Sequence, residues 1–356
     1  MAGGKAARME RRRSPAGRAR GRAWTRMSDK ELLEVRFCDL GLKIRGTRVA
    51  PRIRSLYAEL AARGLGFRPH CWLAEEWFSP DGVPGIAIPF YLAHPRLERL
   101  ERRLMHEVEG GNANWLMRIL RHEAGHALDT AYRLRRRRGW RDVFGPASLP
   151  YPESYRPRPG SRRFVQHLGS WYAQSHPTED FAETFAVWLP PRSRWRSHYA
   201  EWPAIDKLQY VETLMRDLRG RRPSVRSRDR VEPLSADTRT LGQHYRRKLA
   251  RYRRMRRNLA DQMIQRVFGT RAAVRRPLAA ATFIRRIKPE LLRTARRRSG
   301  ASDYVIHQVL RLMVERCMAG RLTVNVPLRA ARRNAAWLAV RLVELLNQGA
   351  SRRVPV

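Results

Sequence analysis

The residues best suited to do chemistry are His122, Glu123 and His126, in the run Arg121-His122-Glu123-Ala124-Gly125-His126. Histidines four apart on a helix lie one turn above each other, so both imidazoles can reach one zinc ion while Glu123 stands beside them. The chemistry implied is metal-assisted hydrolysis. The competing reading is a pair of core histidines satisfied by backbone carbonyls, with the glutamate at a rim. A catalytic zinc keeps three protein ligands and one open position, so the motif demands a further ligand from elsewhere in the chain.

The strongest candidate lies in Ser175-His176-Pro177-Thr178-Glu179-Asp180-Phe181-Ala182-Glu183. Pro177 suits the first position of a helix capped by Ser175 or His176. Glu179, Ala182, Glu183 and Ala186 make one stripe of that helix, and Phe181, Phe185, Trp188 and Leu189 another. Acidic residues in a first turn also oppose the helix macrodipole, which accounts for Glu179 and Asp180 without a metal. It does not account for Glu183, a turn deeper among apolar neighbours, where a carboxylate without a partner is costly. His176 is a rival third ligand, with His94 and His167 behind it.

His122-Glu123-x-x-His126 followed by Glu179-x-x-x-Glu183, with Tyr172 upstream, resembles the gluzincin arrangement of the lethal-factor-like zinc metallopeptidases. The wider run, including Tyr172-Ala173-Gln174 and Glu179-Asp180-Phe181-Ala182-Glu183-Thr184-Phe185, is similar to a group of bacterial zinc-binding metallopeptidases. The resemblance covers residues 28–220. It implies Zn2+ as cofactor, a protein or peptide as substrate, His122, His126 and Glu179 as metal ligands, Glu123 as general base and Tyr172 as stabiliser of the tetrahedral oxyanion. Glu183 would orient a ligand histidine or Glu179. Asp129, one turn beyond His126, is either a further second-sphere partner or a cap for the helix end.

These side chains need rigid carriers. The first is a buried helix that Asn112 or Asn114 caps, with Trp115, Leu116, Ile119, Leu120, Ala127, Leu128 and Ala131 recurring at three- and four-residue steps. Ala124 and Gly125 let another helix come close, although Gly125 costs about 1 kcal/mol of helix propensity. Upstream, residues 51–65 read as a helix ending at Gly64, and 67–77 and 85–92 as strands joined by the turn Ser79-Pro80-Asp81-Gly82. Residues 86–91 are the candidate strand to pair with extended substrate, or a plain core strand. A helix at 96–109, a long Pro- and Tyr-rich loop at 144–159 placed as a lid over the cleft, and helices at 192–199 and 203–218 complete the domain.

The expected fold class is α+β: a zincin-like domain at 28–220 with a small mixed sheet and the His-Glu-x-x-His helix, followed by a basic helical region. Residues 1–27, rich in Arg, Gly and Ala, are expected as a disordered basic arm, or as an extension upstream of a protein starting at Met27. Residues 221–237 read as a linker, and 238–356 as amphipathic helices at 245–267, 304–318 and 331–346 in a small bundle.

The chain of 356 residues carries a formal net charge of +42, with most of the basic excess in arginine. That charge suits an anionic partner such as nucleic acid, although an arginine-rich coding bias gives the same composition. Three widely spaced cysteines argue against a disulfide framework and fit a reducing, cytoplasmic setting, and no stretch is long and apolar enough for a transmembrane segment. Two functions follow: a zinc-dependent metallopeptidase, or a catalytically silent basic protein that binds nucleic acid or another polyanion.

Overall fold

The computed structural model describes residues 20–105, 108–152, 155, 158, 160–269, 278–299 and 303–347. The chain forms two compact units, one running to His244 and one of Tyr245–Arg353. The described residues are mostly helical, with one two-stranded parallel sheet, an α+β arrangement.

Residues 1–19 of the basic arm lie outside the described residues. Arg20–Arg26 is a 3-10 helix whose Trp24 is buried and donates its indole N–H to Leu40 O at 3.1 Å. This part of the expected disordered arm is therefore folded, because one aromatic side chain buries enough apolar surface to anchor it. Ser28 then opens helix α1 (Asp29–Leu33) with a capping box closed by Glu31. Helix α2 (Val49–Ala62) turns its Ile53, Leu56 and Leu60 inward and ends before Gly64, at φ +76°.

Strands β1 (His70–Ala74) and β2 (Gly85–Pro89) pair in parallel, His70 opposite Gly85 through Ala74 opposite Pro89. The expected mixed sheet is thus corrected to a two-stranded parallel one. The turn at Ser79-Pro80-Asp81-Gly82 does form, with Gly82 at φ +78°, but the antiparallel bridge it supports joins Phe78 to Ala87. β1 takes the opposite edge of β2. Every residue of β2 is buried, and Ala87 N–H is spent on Phe78 O, so the strand expected to hold substrate is a core strand over Gly85–Pro89.

Helix α3 (Pro95–Met105) leads to helix α4 (Ala113–Tyr132), which Asn112 caps by accepting from Trp115 N–H at 2.8 Å. After the short helix α5 (Arg138–Phe144) comes α6 (Pro177–Trp188), capped by His176. Helices α7 (Trp195–His198) and α8 (Ala204–Asp217) follow. α4 packs most extensively on α6 and touches α2 and β2 on its other sides.

A β-carbon on Gly125 would meet Ala182 Cα at 3.0 Å and Phe185 Cδ1 at 3.2 Å, so the two helix backbones are as close as glycine permits. Arg121 of α4 makes a two-pronged pair with Glu59 of α2 at 2.6 and 2.8 Å. Arg63 lies over the Trp188 ring and donates to the carbonyls of Trp188, Leu189 and Pro190, a cation placed on the negative end of α6.

Residues 221–237, expected as a linker, are hydrogen-bonded along the first unit. Val225 N–H donates to Ala131 O, Trp72 Nε1–H to Val231 O, and His70 Nε2–H to Asp229 O. Polar, proline-containing composition carries no trace of these distant partners, which is why the segment reads as free chain.

Helix α9 (Leu241–Val267) leads into the second unit, where α10 (Ala280–Arg286), α11 (Lys288–Ser299), α12 (Asp303–Ala319) and α13 (Leu328–Asn347) bury Ile264, Phe268, Phe283, Leu291, Val309, Met313 and Leu338 among them. No helix of the described residues is long and apolar enough to cross a membrane.

The close approach at Gly125 gives a first prediction. Gly125→Val should destabilise the protein by about 1–3 kcal/mol, the usual cost of overpacking, and the melting midpoint in thermal denaturation should fall accordingly. An unchanged midpoint would mean that α4 and α6 can separate freely.

Candidate metal centre

His122 and His126 stand one turn apart on α4, and Glu179 lies in the first turn of α6. Their facing atoms form a nearly equilateral triangle. His122 Nε2 and His126 Nε2 are 3.0 Å apart, and Glu179 Oε2 lies 3.0 Å from the first and 3.1 Å from the second. Among the described residues this is the group of three such side chains arranged so that one metal ion could be held by all of them.

The protonation pattern shows what these atoms offer a cation. Glu183 Oε1 is 3.0 Å from His122 Nδ1, and Glu183 Oε2 accepts the backbone N–H of Leu168 at 2.8 Å. A carboxylate held in this way only accepts, so His122 carries its hydrogen on Nδ1, and in the neutral ring its Nε2 lone pair points into the triangle. Glu179 Oε2 is an acceptor as well. Lone pairs that face each other at this range stay together only with a proton or a metal ion among them.

The proton affinities show the same demand. Burial pushes His122 toward neutrality, yet hydrogen bonds to Glu179 and Glu183, and their charges, raise its pKa well above the ordinary value. Burial would raise Glu179, but the two histidines hold it well below the usual carboxylate range. Two imidazoles and one carboxylate are also a donor set that zinc takes. In a tetrahedral shell with bonds of about 2.0–2.1 Å, neighbouring donors stand about 3.3 Å apart, so the triangle fits an ion after a shift of a few tenths of an ångström.

Glu123, next along α4, is buried, and burial raises its carboxyl pKa. His122 and His126 oppose that rise and Glu179 adds to it, which puts Glu123 within electrostatic reach of the cluster. Tyr172 lies in the 3-10 helix Gly169–Gln174 with its ring 5.6 Å from that of His122. Burial, and after it the charges of Glu179 and Glu123, raise its pKa well above the phenol range. The residue before it, Trp171, is left-handed at φ +55°, a conformation that costs a bulky L-residue about 1–2 kcal/mol.

Asp129 does not touch the histidines through a hydrogen bond. Its Oδ1 accepts Arg135 N–H and its Oδ2 accepts Arg135 Nε–H, at 2.7 and 2.6 Å, so it closes the end of α4, and Arg135 reaches on to Asp81. It thereby ties the segment after α4 back onto the helix, whose last residue is followed by the left-handed Arg133. The rival ligands are likewise committed elsewhere. His176 Nδ1 accepts Thr178 N–H as the cap of α6 and its Nε2–H donates to Leu149 O. His167 donates to Arg118 O, with burial pushing its pKa down to about 4. His94 Nδ1 accepts Arg96 N–H.

One contact was not foreseen. Tyr151, in the Pro- and Tyr-rich loop, donates its hydroxyl to Glu179 Oε1 at 3.0 Å. The composition marked the loop as a whole for the site but could not single out this tyrosine.

Residues 97–196 match the model of a family described as "Putative zinc-binding metallo-peptidase". No curated protein and no solved structure matches the chain. The matched span contains both helices that supply the triangle, together with Glu123, Tyr151, Tyr172 and Glu183. A description as zinc-binding therefore falls on the segment that holds the His122, His126 and Glu179 cluster.

Two substitutions separate the carboxylates behind the triangle. Glu183→Gln should weaken zinc binding about 10- to 100-fold in competition with a chromophoric chelator, because an amide cannot accept from both His122 and Leu168. Asp129→Asn should leave zinc affinity nearly unchanged while lowering stability by about 1–3 kcal/mol, since it weakens the buried anchor of Arg135. Equal effects of the two on zinc would contradict this division of roles.

Proposed function

We propose that the chain is a zinc-dependent metallopeptidase of the gluzincin type, with a zincin-like catalytic domain in which His122, His126 and Glu179 hold the ion. The observation that carries this reading is the convergence of His122 Nε2, His126 Nε2 and Glu179 Oε2 at 3.0–3.1 Å, with the tautomer of one imidazole fixed from behind by Glu183. The family description of residues 97–196 supports it independently.

A bound zinc ion supplies Lewis acidity, lowering the pKa of a water molecule to about 7 and polarising a carbonyl. The remaining work falls to side chains. Glu123, beside the ligand pair, takes the proton of the attacking water and passes it to the departing amine nitrogen. Tyr172 donates its hydroxyl hydrogen where negative charge grows on the carbonyl oxygen. Glu183 keeps His122 in the tautomer that presents Nε2. The substrate is a peptide or protein. The free thiols of Cys38, Cys71 and Cys317 support a reducing compartment such as the cytoplasm.

Purified protein should contain about one zinc per chain, lost in His122→Ala and in Glu179→Ala, by analogy with structural requirements of three-ligand sites. Glu123→Gln should retain zinc and lose peptidase activity by a factor of about 10²–10⁴. Retained zinc with undiminished activity in Glu123→Gln would remove the assigned chemistry.

The second reading, a catalytically silent binder of nucleic acid, draws on the second unit. Trp337 of α13 is 53% exposed and is flanked one turn to either side by the exposed Arg333 and Arg341. An aromatic face between cations is the arrangement on which single-stranded bases stack. In fluorescence anisotropy with a labelled single-stranded oligonucleotide, Trp337→Ala in the full chain should weaken binding by about 1–3 kcal/mol, and rising salt should weaken both proteins. Absence of salt-sensitive binding by the unsubstituted chain would dispose of this reading.

A further inference from the structure

Glu179 presents only one oxygen to the histidines. The other, Oε1, is turned away from the triangle and meets the hydroxyl of Tyr151 at 3.0 Å. A buried carboxylate oxygen without a donor would be free to swing, and the carboxylate could then offer either oxygen, or both, to a cation. The donor that prevents this comes from a loop rather than from α4 or α6.

That loop is clasped to the start of α6 at several points. The Tyr151 ring stacks on the His176 imidazole with centroids 3.9 Å apart and planes 17° from parallel. His176 Nε2–H donates to Leu149 O at 2.9 Å, two residues before Tyr151. The Thr178 hydroxyl lies within hydrogen-bonding reach of both His176 Nδ1 and the Tyr151 hydroxyl. His176 is in turn fixed by its role as the cap of α6. Since the carboxylate can only accept, the single hydroxyl hydrogen of Tyr151 goes to Glu179. The ring remains half exposed at the surface while its hydroxyl reaches the buried ligand.

We infer that Tyr151 is a positioning residue of the metal centre: clasped by His176 and Thr178, it fixes Glu179 so that Oε2 alone faces His122 and His126. The inference rests on the metal-ligand reading of the triangle and assigns a task to Leu149 and Tyr151, in the stretch expected from the sequence as a lid. It also gives His176, which the chain does not use as a ligand, a place in the same assembly, one step further out: it holds Tyr151, and Tyr151 holds Glu179. The order of these contacts makes the surface loop part of what sets metal affinity.

Tyr151→Phe tests this with little risk to the fold, because the ring that stacks on His176 is retained and only the hydroxyl is lost. Zinc affinity measured by chelator competition should fall about 10- to 100-fold, the usual effect of removing a partner that orients a ligand. The visible spectrum of the cobalt-substituted protein should change in band position and intensity, because the carboxylate is no longer held to one oxygen. The melting midpoint of the metal-free protein should stay near that of wild type, and Tyr172→Phe should leave zinc affinity and the cobalt spectrum as they are. A Tyr151→Phe protein that binds zinc within twofold of wild type, with the same cobalt spectrum, overturns the inference while leaving the metal centre standing. An unsubstituted protein that binds no zinc overturns the metal reading and this inference together.

Discussion

The arrangement of the first unit depends on a conflict between acceptors. His122 Nε2, His126 Nε2 and Glu179 Oε2 face one another across 3.0–3.1 Å inside a buried pocket, and Glu183 prevents His122 from relieving the conflict by turning its N–H inward. Taking polar groups from water is costly unless each finds a partner, and a cation is the partner that satisfies all three at once. The proton does this in part, which is why the basicity of His122 rises and that of Glu179 falls. A divalent ion does it with defined geometry.

Holding that conflict in place requires two helices that cannot drift. At Gly125 a β-carbon would press on Ala182 and Phe185 of α6, and this glycine sits between the two histidines in sequence, so a close approach of the helices coincides with the turn that carries the triangle. Cations tie them further: Arg63 on the carbonyls that close α6, Arg121 from the middle of α4 on Glu59 of α2, and Arg135 on Asp129 near the end of α4. Each cation faces a carboxylate or a carbonyl with its partial negative charge. Leu168, whose N–H fixes Glu183, immediately precedes the 3-10 turn that carries Tyr172, so one short segment serves both the support behind His122 and the tyrosine beside it.

How far the site was legible in the sequence follows from the range of each signal. A four-residue histidine spacing is a statement about one helix turn and needs no tertiary knowledge. The Glu179 and Glu183 stripe could be read because a carboxylate amid Phe181, Phe185 and Trp188 is anomalous without a partner. The capping box at Ser28 and the caps at Asn112 and His176 were equally local. What escaped depends on chain segments meeting at a distance. Tyr151 reaches Glu179 across 28 residues, residues 221–237 gain their order from the His70 and Trp72 side chains of β1 and a backbone carbonyl of α4, and the parallel pairing of β1 with β2 is hidden because the turn between them makes its bridge with Phe78 instead. Asp129 shows the same limit, since its position one turn after His126 says nothing of an arginine six residues on.

The net charge of the chain has little bearing on the chemistry of the site, because the acids there are buried and individually partnered. The net +42 is a property of the whole sequence, yet Asp129, Glu179, Asp180 and Glu183 are all buried on the two helices that form the triangle, and each has a specific partner. Asp129 is held by Arg135, Glu183 by Leu168 N–H and His122, and Asp180 by Lys207, while burial still pushes Asp180 up to about 7. In the interior, an ionised group is governed by its nearest partners. On the surface, arginines are screened within about 8–10 Å at ordinary ionic strength. A strongly basic exterior therefore steers what approaches the protein, whereas the reactivity of the centre is set by a handful of buried acids and the groups that hold them. The two properties can change independently, because substitution of surface arginines far from the triangle leaves the facing lone pairs at its heart untouched.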